Sequence, residues 1–268
     1  MSSRCVTLAL LGLLVAAAAH AAEPPALARA RTLYNSADFD GAIAAAAEAQ
    51  RLPGAADAAV LVLARSHLER YRRSLNPADL ISGRDALGLV RLAALTPRDQ
   101  VDLFVGLGQS LYLENMFGAA AELFDTALSR GALLDQRDRL MLVDWWATAL
   151  DHEAQARAAD RRPAVYGRIA ARMEDELRQD PGSSPANYWL VVAARGSGDV
   201  ERAWGAAVAA WVRSGLAMPG SERLRADLDR LVTQALIPER AQIRSPSVTP
   251  ELLAMLGAEW DMVKSQWK

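Results

Sequence analysis

Residues 101–128, VDLFVGLGQSLYLENMFGAAAELFDTAL, decide how the rest of the chain is read. Phe104, Leu107, Gly108 and Leu111 recur at helical intervals on one run, and Phe117, Ala120, Phe124 and Ala127 on the next. Two helices packed as an antiparallel hairpin follow from that pattern. Gly108 and Ala120 let them approach closely, because small residues at helical spacing leave little side chain between two rods.

Outward from this hairpin the periodicity stays helical and strand signals are missing. Twelve helices are predicted, at about 24–36, 39–52, 55–74, 77–94, 97–114, 117–130, 136–158, 162–179, 184–196, 199–214, 221–236 and 249–267. Pro53-Gly54, Asn76-Pro77, Thr96-Pro97, Arg130-Gly131, Asp180-Pro181-Gly182 and Gly196-Ser197-Gly198 each stop a helix or begin a turn. The helices pair into six hairpins.

The pattern resembles the tetratricopeptide (TPR) repeat, whose units recur at a spacing of about 34 residues and stack to cover one another's apolar faces. The likeness is strongest over 101–128. It recurs in the first hairpin, through Ala30 and Leu33, the turn Asp38-Phe39-Asp40, then Ala42, Ala46 and Ala49. It recurs again through Asp199-Val200-Glu201-Arg202-Ala203 followed by Ala207 and Ala210. The hairpins between depart from it, one by an expanded turn near residue 76 and one by longer helices over 137–177. The resemblance implies an all-α, right-handed α-solenoid of about six antiparallel hairpins, ending in a C-terminal amphipathic helix.

The first residues carry an address. A short basic start, Met1 to Arg4, precedes an unbroken apolar run over 6–19, and Ala19-His20-Ala21 gives a small-x-small cleavage pattern. The run falls short of the roughly 18–20 residues that span a bilayer. A secretory signal peptide over 1–22 is expected, cleaved near Ala21 or Ala22, and with it a periplasmic or secreted protein with no stable membrane insertion. The single cysteine, Cys5, belongs to that leader, so the mature chain carries no thiol. Without Arg4 the charge is 29 − 32 = −3, from 30 basic and 32 acidic residues. That balance, with no basic surface interleaved with aromatics, argues against nucleic acid as a partner.

The expected organisation is therefore a leader over 1–22, a TPR-like repeat domain over 23–219, and C-terminal helices over 220–268 joined by an irregular segment near 237–248. Ser221–Leu236 is amphipathic through Leu224, Leu228, Leu231, Val232 and Leu236. Thr249 caps a last helix with Pro250 at its first position. Leu252, Leu253, Leu256, Trp260, Val263 and Trp267 share one side of it. Such a face must be covered, either as a cap on the solenoid or as a docking helix for a partner, the latter resting on Leu252, Leu256, Trp260, Val263 and Trp267.

No catalytic constellation is read from the sequence. His67 and His152 lack metal or nucleophile spacing, and there is no His-x-x-x-His pair, Gly-rich phosphate loop or Gly-x-Ser-x-Gly turn. Asp144 and Asp151 share a helix face without a further partner. No metal and no cofactor are expected. The TPR resemblance implies instead a ligand surface on the first helix of each hairpin. On that face stand Arg31, Tyr34 and Asn35 in the first unit, Val105, Gln109 and Tyr112 in the best, and Tyr188, Val192 and Arg195 in the late one. An aromatic beside a polar or cationic group in each unit suits an extended peptide. The family's clamp for a free carboxylate needs lysine and asparagine where Val105 and Gln109 stand, so that chemistry is not implied. The expected function is a non-enzymatic scaffold for a protein or peptide of the cell envelope. The alternatives are a small-molecule or glycan receptor, or a helical hydrolase built on scattered acids.

Overall fold

The structure, a computed structural model, describes residues 23–216 and 221–267; the leader expected over 1–22 lies outside them. Helices build the molecule and no strand occurs among the described residues. In chain order they are α1 (Pro25–Asn35), α2 (Phe39–Ala49), α3 (Ala56–Ser74), α4 (Pro77–Leu89), α5 (Pro97–Leu113), α6 (Phe117–Leu128), α7 (Gln136–Gln155), α8 (Arg162–Gln179), α9 (Ser184–Gly196), α10 (Val200–Arg213), α11 (Ser221–Leu231), α12 (Ile237–Arg244) and α13 (Pro250–Gln266). A π turn, Val232–Leu236, joins α11 to α12, so the thirteen segments form twelve rods.

The starts are set locally. Asp38, Asn76, Thr96, Asp135, Ser183, Asp199 and Thr249 each accept a hydrogen bond from an otherwise unpaired amide of the first turn. Proline stands in the first turn of α1, α4, α5 and α13, where its missing N–H costs nothing. Each helix from α1 to α10 packs on its neighbour in sequence, and α1 also touches α3, α3 touches α5, and α7 touches α9.

The three hairpins singled out in the sequence, α1–α2, α5–α6 and α9–α10, share one turn. Ala37, Asn115 and Gly198 hold the equivalent left-handed position, with φ of 63°, 61° and 83°. The amide of each donates three residues back, to Tyr34, Tyr112 and Arg195. The following amide reaches five residues back, Asp38 to Leu33, Met116 to Leu111 and Asp199 to Ala194, closing the helix end as a Schellman motif does. The α3–α4 turn differs, with Leu75 at φ 55° ahead of Asn76-Pro77.

Small residues do the close packing. A β-carbon at Gly108 would stand 2.5 Å from Cε1 of Phe124, so the α6 ring lies on the α5 backbone, and Ala120 beside it is fully buried. Of the adjacent tryptophans, Trp146 is buried and Trp145 partly buried. One core runs from α5 through α9 around Phe124, Leu142, Leu150, Ile169 and Met173. A second joins α9 and α10 to α11–α13 around Trp211, Leu228, Leu236, Leu256 and Trp260.

Two expectations change. Helix 4 does not run to residue 94: Asp57 of α3 accepts the Arg91 amide at 2.8 Å and its guanidinium at 2.7 Å, which pulls the chain into an extended conformation at Val90 and Arg91. The irregular segment near 237–248 is mostly helix, since α12 continues to Arg244 and only 245–249 lack helical structure. Two things hid it. Pro238 reads as a helix stop, yet the π turn just before it takes up the conflict with the preceding turn. Arg240 reads as a surface residue, yet it is buried between Glu201 of α10 and Glu259 of α13, 4.3 Å above the Trp204 ring.

The last helix is seated. Leu256 and Trp260 are fully buried and Leu252 and Val263 partly so. The Trp260 ring meets Trp204 and Trp211 edge-on, at 6.0 and 5.4 Å. Trp260 Nε1 and Lys264 Nζ both donate to Asp229 of α11 at 2.8 Å. Of the residues named for docking, Trp267 alone is exposed. Leu256 and Trp260 are enclosed in the second core, so neither is open to a partner in the described chain.

Candidate binding groove

Two adjoining hollows lie along the first helices of the early hairpins. The larger, about 660 Å³, is lined from α1, α3, α5 and α7, and the smaller, about 250 Å³, from α3, α5, α6 and α7. They share Arg72 and Trp145 and so form one groove. Its origin is a gap in the packing: α5 and α7 make almost no backbone approach and are tied by side chains instead. Arg98 of α5 pairs with Asp138 of α7 and donates to the Leu133 carbonyl at 3.1 Å.

Six of the nine residues nominated on the first-helix face line this groove. Arg31, Tyr34, Asn35 and Val105 border the larger hollow, and Gln109 and Tyr112 the smaller. Val105 and Gln109 are buried and serve as floor. Tyr188, Val192 and Arg195 lie elsewhere. Tyr188 bridges the two cores and packs edge-on to Trp189. Arg195 is engaged by Glu239 of α12 at 2.6 Å. The shared turn explains the misplacement: Arg195, not Tyr188, is the counterpart of Tyr34 and Tyr112.

The larger hollow has a charged floor. Arg31 pairs with Asp99, and Arg65 with Asp102, each at 2.8 Å. The Arg65 guanidinium also lies 4.9 Å from the centre of the Tyr34 ring. Burial pushes the Tyr34 phenol above its ordinary pKa, against the pull of Arg65. Burial works against the charge on Arg65, but Tyr34, Asp102 and Glu69 outweigh it and hold its pKa up. Glu69 accepts from Arg72 at 2.9 Å and from Gln109 at 2.6 Å. Five arginines and five carboxylates line this hollow, so charges cancel locally and the partly buried rings of Tyr34 and Trp145 stand among polar groups.

Sequence reading did not place Trp145, Arg65 or Arg72 in the groove, although adjacent tryptophans on a helix cannot both face one core, which puts one of Trp145 and Trp146 at a hairpin interface or partly in the open. The remaining candidates also have partners within the chain. Asp144 accepts the Trp189 indole N–H, and Asp151 accepts the Tyr166 hydroxyl, both at 2.8 Å. Burial and then that bond to Asp151 push the Tyr166 phenol up to about 12. His67 bonds Asp79 at 2.9 Å, and His152 stacks on Phe117 at 4.7 Å. Among the described residues no three His, Cys, Asp or Glu side chains converge as a metal site would require, and no helix is long and apolar enough to cross a membrane.

Comparison with protein-family models, curated proteins and solved structures finds no match to this chain.

Proposed function

We propose that the chain is an exported, non-enzymatic TPR-like scaffold that binds an extended segment of another cell-envelope protein in the groove between α1, α3, α5 and α7. The repeat reading, a right-handed solenoid of about six hairpins, rests on the three equivalent turns at Ala37, Asn115 and Gly198 and on the small residues packed at Gly108 and Ala120. The export reading rests on the apolar run over 6–19 and the small-x-small pattern after it.

One observation carries the binding reading: Arg31, Tyr34, Asn35, Val105, Gln109 and Tyr112, named from three separate turns of helix, line one continuous groove with Trp145. Aromatic rings beside prepaid Arg–carboxylate pairs suit a peptide, whose side chains lie on the rings while its backbone meets polar edges. A displayed random-peptide library panned on the mature protein tests this. Enriched sequences that lose binding about tenfold or more to Tyr34→Ala plus Trp145→Ala, with helicity unchanged, support it. Enriched sequences indifferent to both substitutions overturn it.

A further inference from the structure

The smaller hollow has its own chemistry. Tyr112 and Trp145 supply two ring walls over the buried Phe124, whose ring is centred 6.0 Å from that of Trp145. Arg72, Asp144 and Thr148 stand at its border and Gln109 in its floor. Two acceptors beside it are held from behind, one closed off and one open. Gln109 gives its Nε2 proton to Glu69 at 2.6 Å, which fixes the amide with Oε1 away from Glu69. That Oε1 is buried and has no hydrogen-bond partner. Asp144 takes the Trp189 indole proton on Oδ1 at 2.8 Å, leaving its other oxygen for a ligand.

The charges around the hollow do not cancel as they do next door. Arg72 is neutralised by Glu69, which it meets through both carboxylate oxygens at 3.1 and 2.9 Å, and Asp144 remains. A spare carboxylate oxygen between two partly open rings, Tyr112 and Trp145, calls for an occupant that is flat, cationic and rich in N–H donors. The protein supplies a stand-in for it: the Arg72 guanidinium lies 6.0 Å from the centre of the Trp145 ring, at the border of the same hollow.

We infer that this hollow is a specificity pocket for an arginine side chain of the bound segment, with Tyr112 and Trp145 flanking the guanidinium and Asp144 accepting its protons. The inference rests on the peptide-binding reading above and adds the residue the groove selects. An apolar side chain would leave the spare Asp144 oxygen without a donor, and a negative one would meet it as a like charge.

N-acetyl-arginine amide and its neutral isostere N-acetyl-citrulline amide, titrated into the full mature protein and followed by tryptophan fluorescence and indole N–H chemical shifts, test this directly. The arginine probe is expected to bind about tenfold more tightly than citrulline and to move the Trp145 indole signal. Asp144→Asn removes that preference. Arg72→Gln, at a half-exposed position, strengthens arginine binding several-fold by clearing the stand-in from the ring, a gain that misfolding does not mimic. Equal binding of arginine and citrulline overturns the inference, as does saturable binding that leaves the Trp145 signal unmoved. Library peptides that need Tyr34 but show no enrichment of arginine also overturn it while leaving the groove reading intact.

Discussion

The Phe124 ring rests on the backbone of Gly108, so close that a β-carbon there would lie 2.5 Å from Cε1. Gly108→Ala is therefore expected to destabilise by about 1–3 kcal/mol, because a fully buried ring must move to admit one methyl group. Gly205, exposed on α10 with nothing within 4 Å of its own missing β-carbon, provides the opposite sign. Gly205→Ala should stabilise by about 0.5–1 kcal/mol through the helix preference for alanine. Paired urea titrations read both, and a neutral Gly108→Ala would remove the close-packed hairpin from this description.

The seating of the last helix is tested by size. Trp260 is fully buried against Trp204 and Trp211, whereas Trp267 is exposed. Trp260→Ala should cost about 3–5 kcal/mol and Trp267→Ala about 1 kcal/mol or less, measured by chemical denaturation. Equal, small effects would mean that α13 is not seated on α10 and α11.

Acid should loosen the first hairpins through Asp79. This buried carboxyl accepts from Arg70, and that bond, stronger than the opposing effect of burial, holds its pKa below the ordinary 3.8, with His67 adding to it. A carboxyl with a lowered folded value contributes its stability in full above about pH 4 and loses it as pH falls through that lowered value. Asp79→Asn should thus cost about 1–3 kcal/mol at neutral pH and markedly less at pH 2–3. A penalty that stays constant across that range would contradict the pairing.

The Arg98 strap holds the groove's two sides. Arg98→Ala removes the pair with Asp138 and the bond to Leu133, and because Arg98 is partly exposed the stability loss should be only about 1 kcal/mol. The expected signature is instead faster amide exchange in the first turn of α7 and around Leu133, with α9–α10 unchanged. Uniform change throughout the chain would show that Arg98 is not a local tie.

Much of this architecture was legible in residue spacing. Capping residues and prolines marked the helix starts within a residue or two, since those signals are local and act on single amides. What escaped was non-local. The early end of α4 depends on Asp57, more than thirty residues upstream of the Arg91 it engages. The continuation into α12 depends on Arg240 finding Glu201 and Glu259, partners that only the folded chain brings together. Groove residues followed the same division. Tyr34 and Tyr112 were named from the face of the first helix that packing leaves free, a local pattern, while Trp145 and Arg65 border the hollow only because of the gap between α5 and α7.

The groove itself is read most directly by crosslinking. A photoreactive benzoylphenylalanine at Asn35, exposed on the groove wall, is compared in native cells with one at Arg223, exposed on α11. Adducts from Asn35 that contain a peptide of another envelope protein, and none from Arg223, are the predicted result. Adducts from Arg223 with none from Asn35, on protein of unchanged helicity, would contradict a groove-binding scaffold.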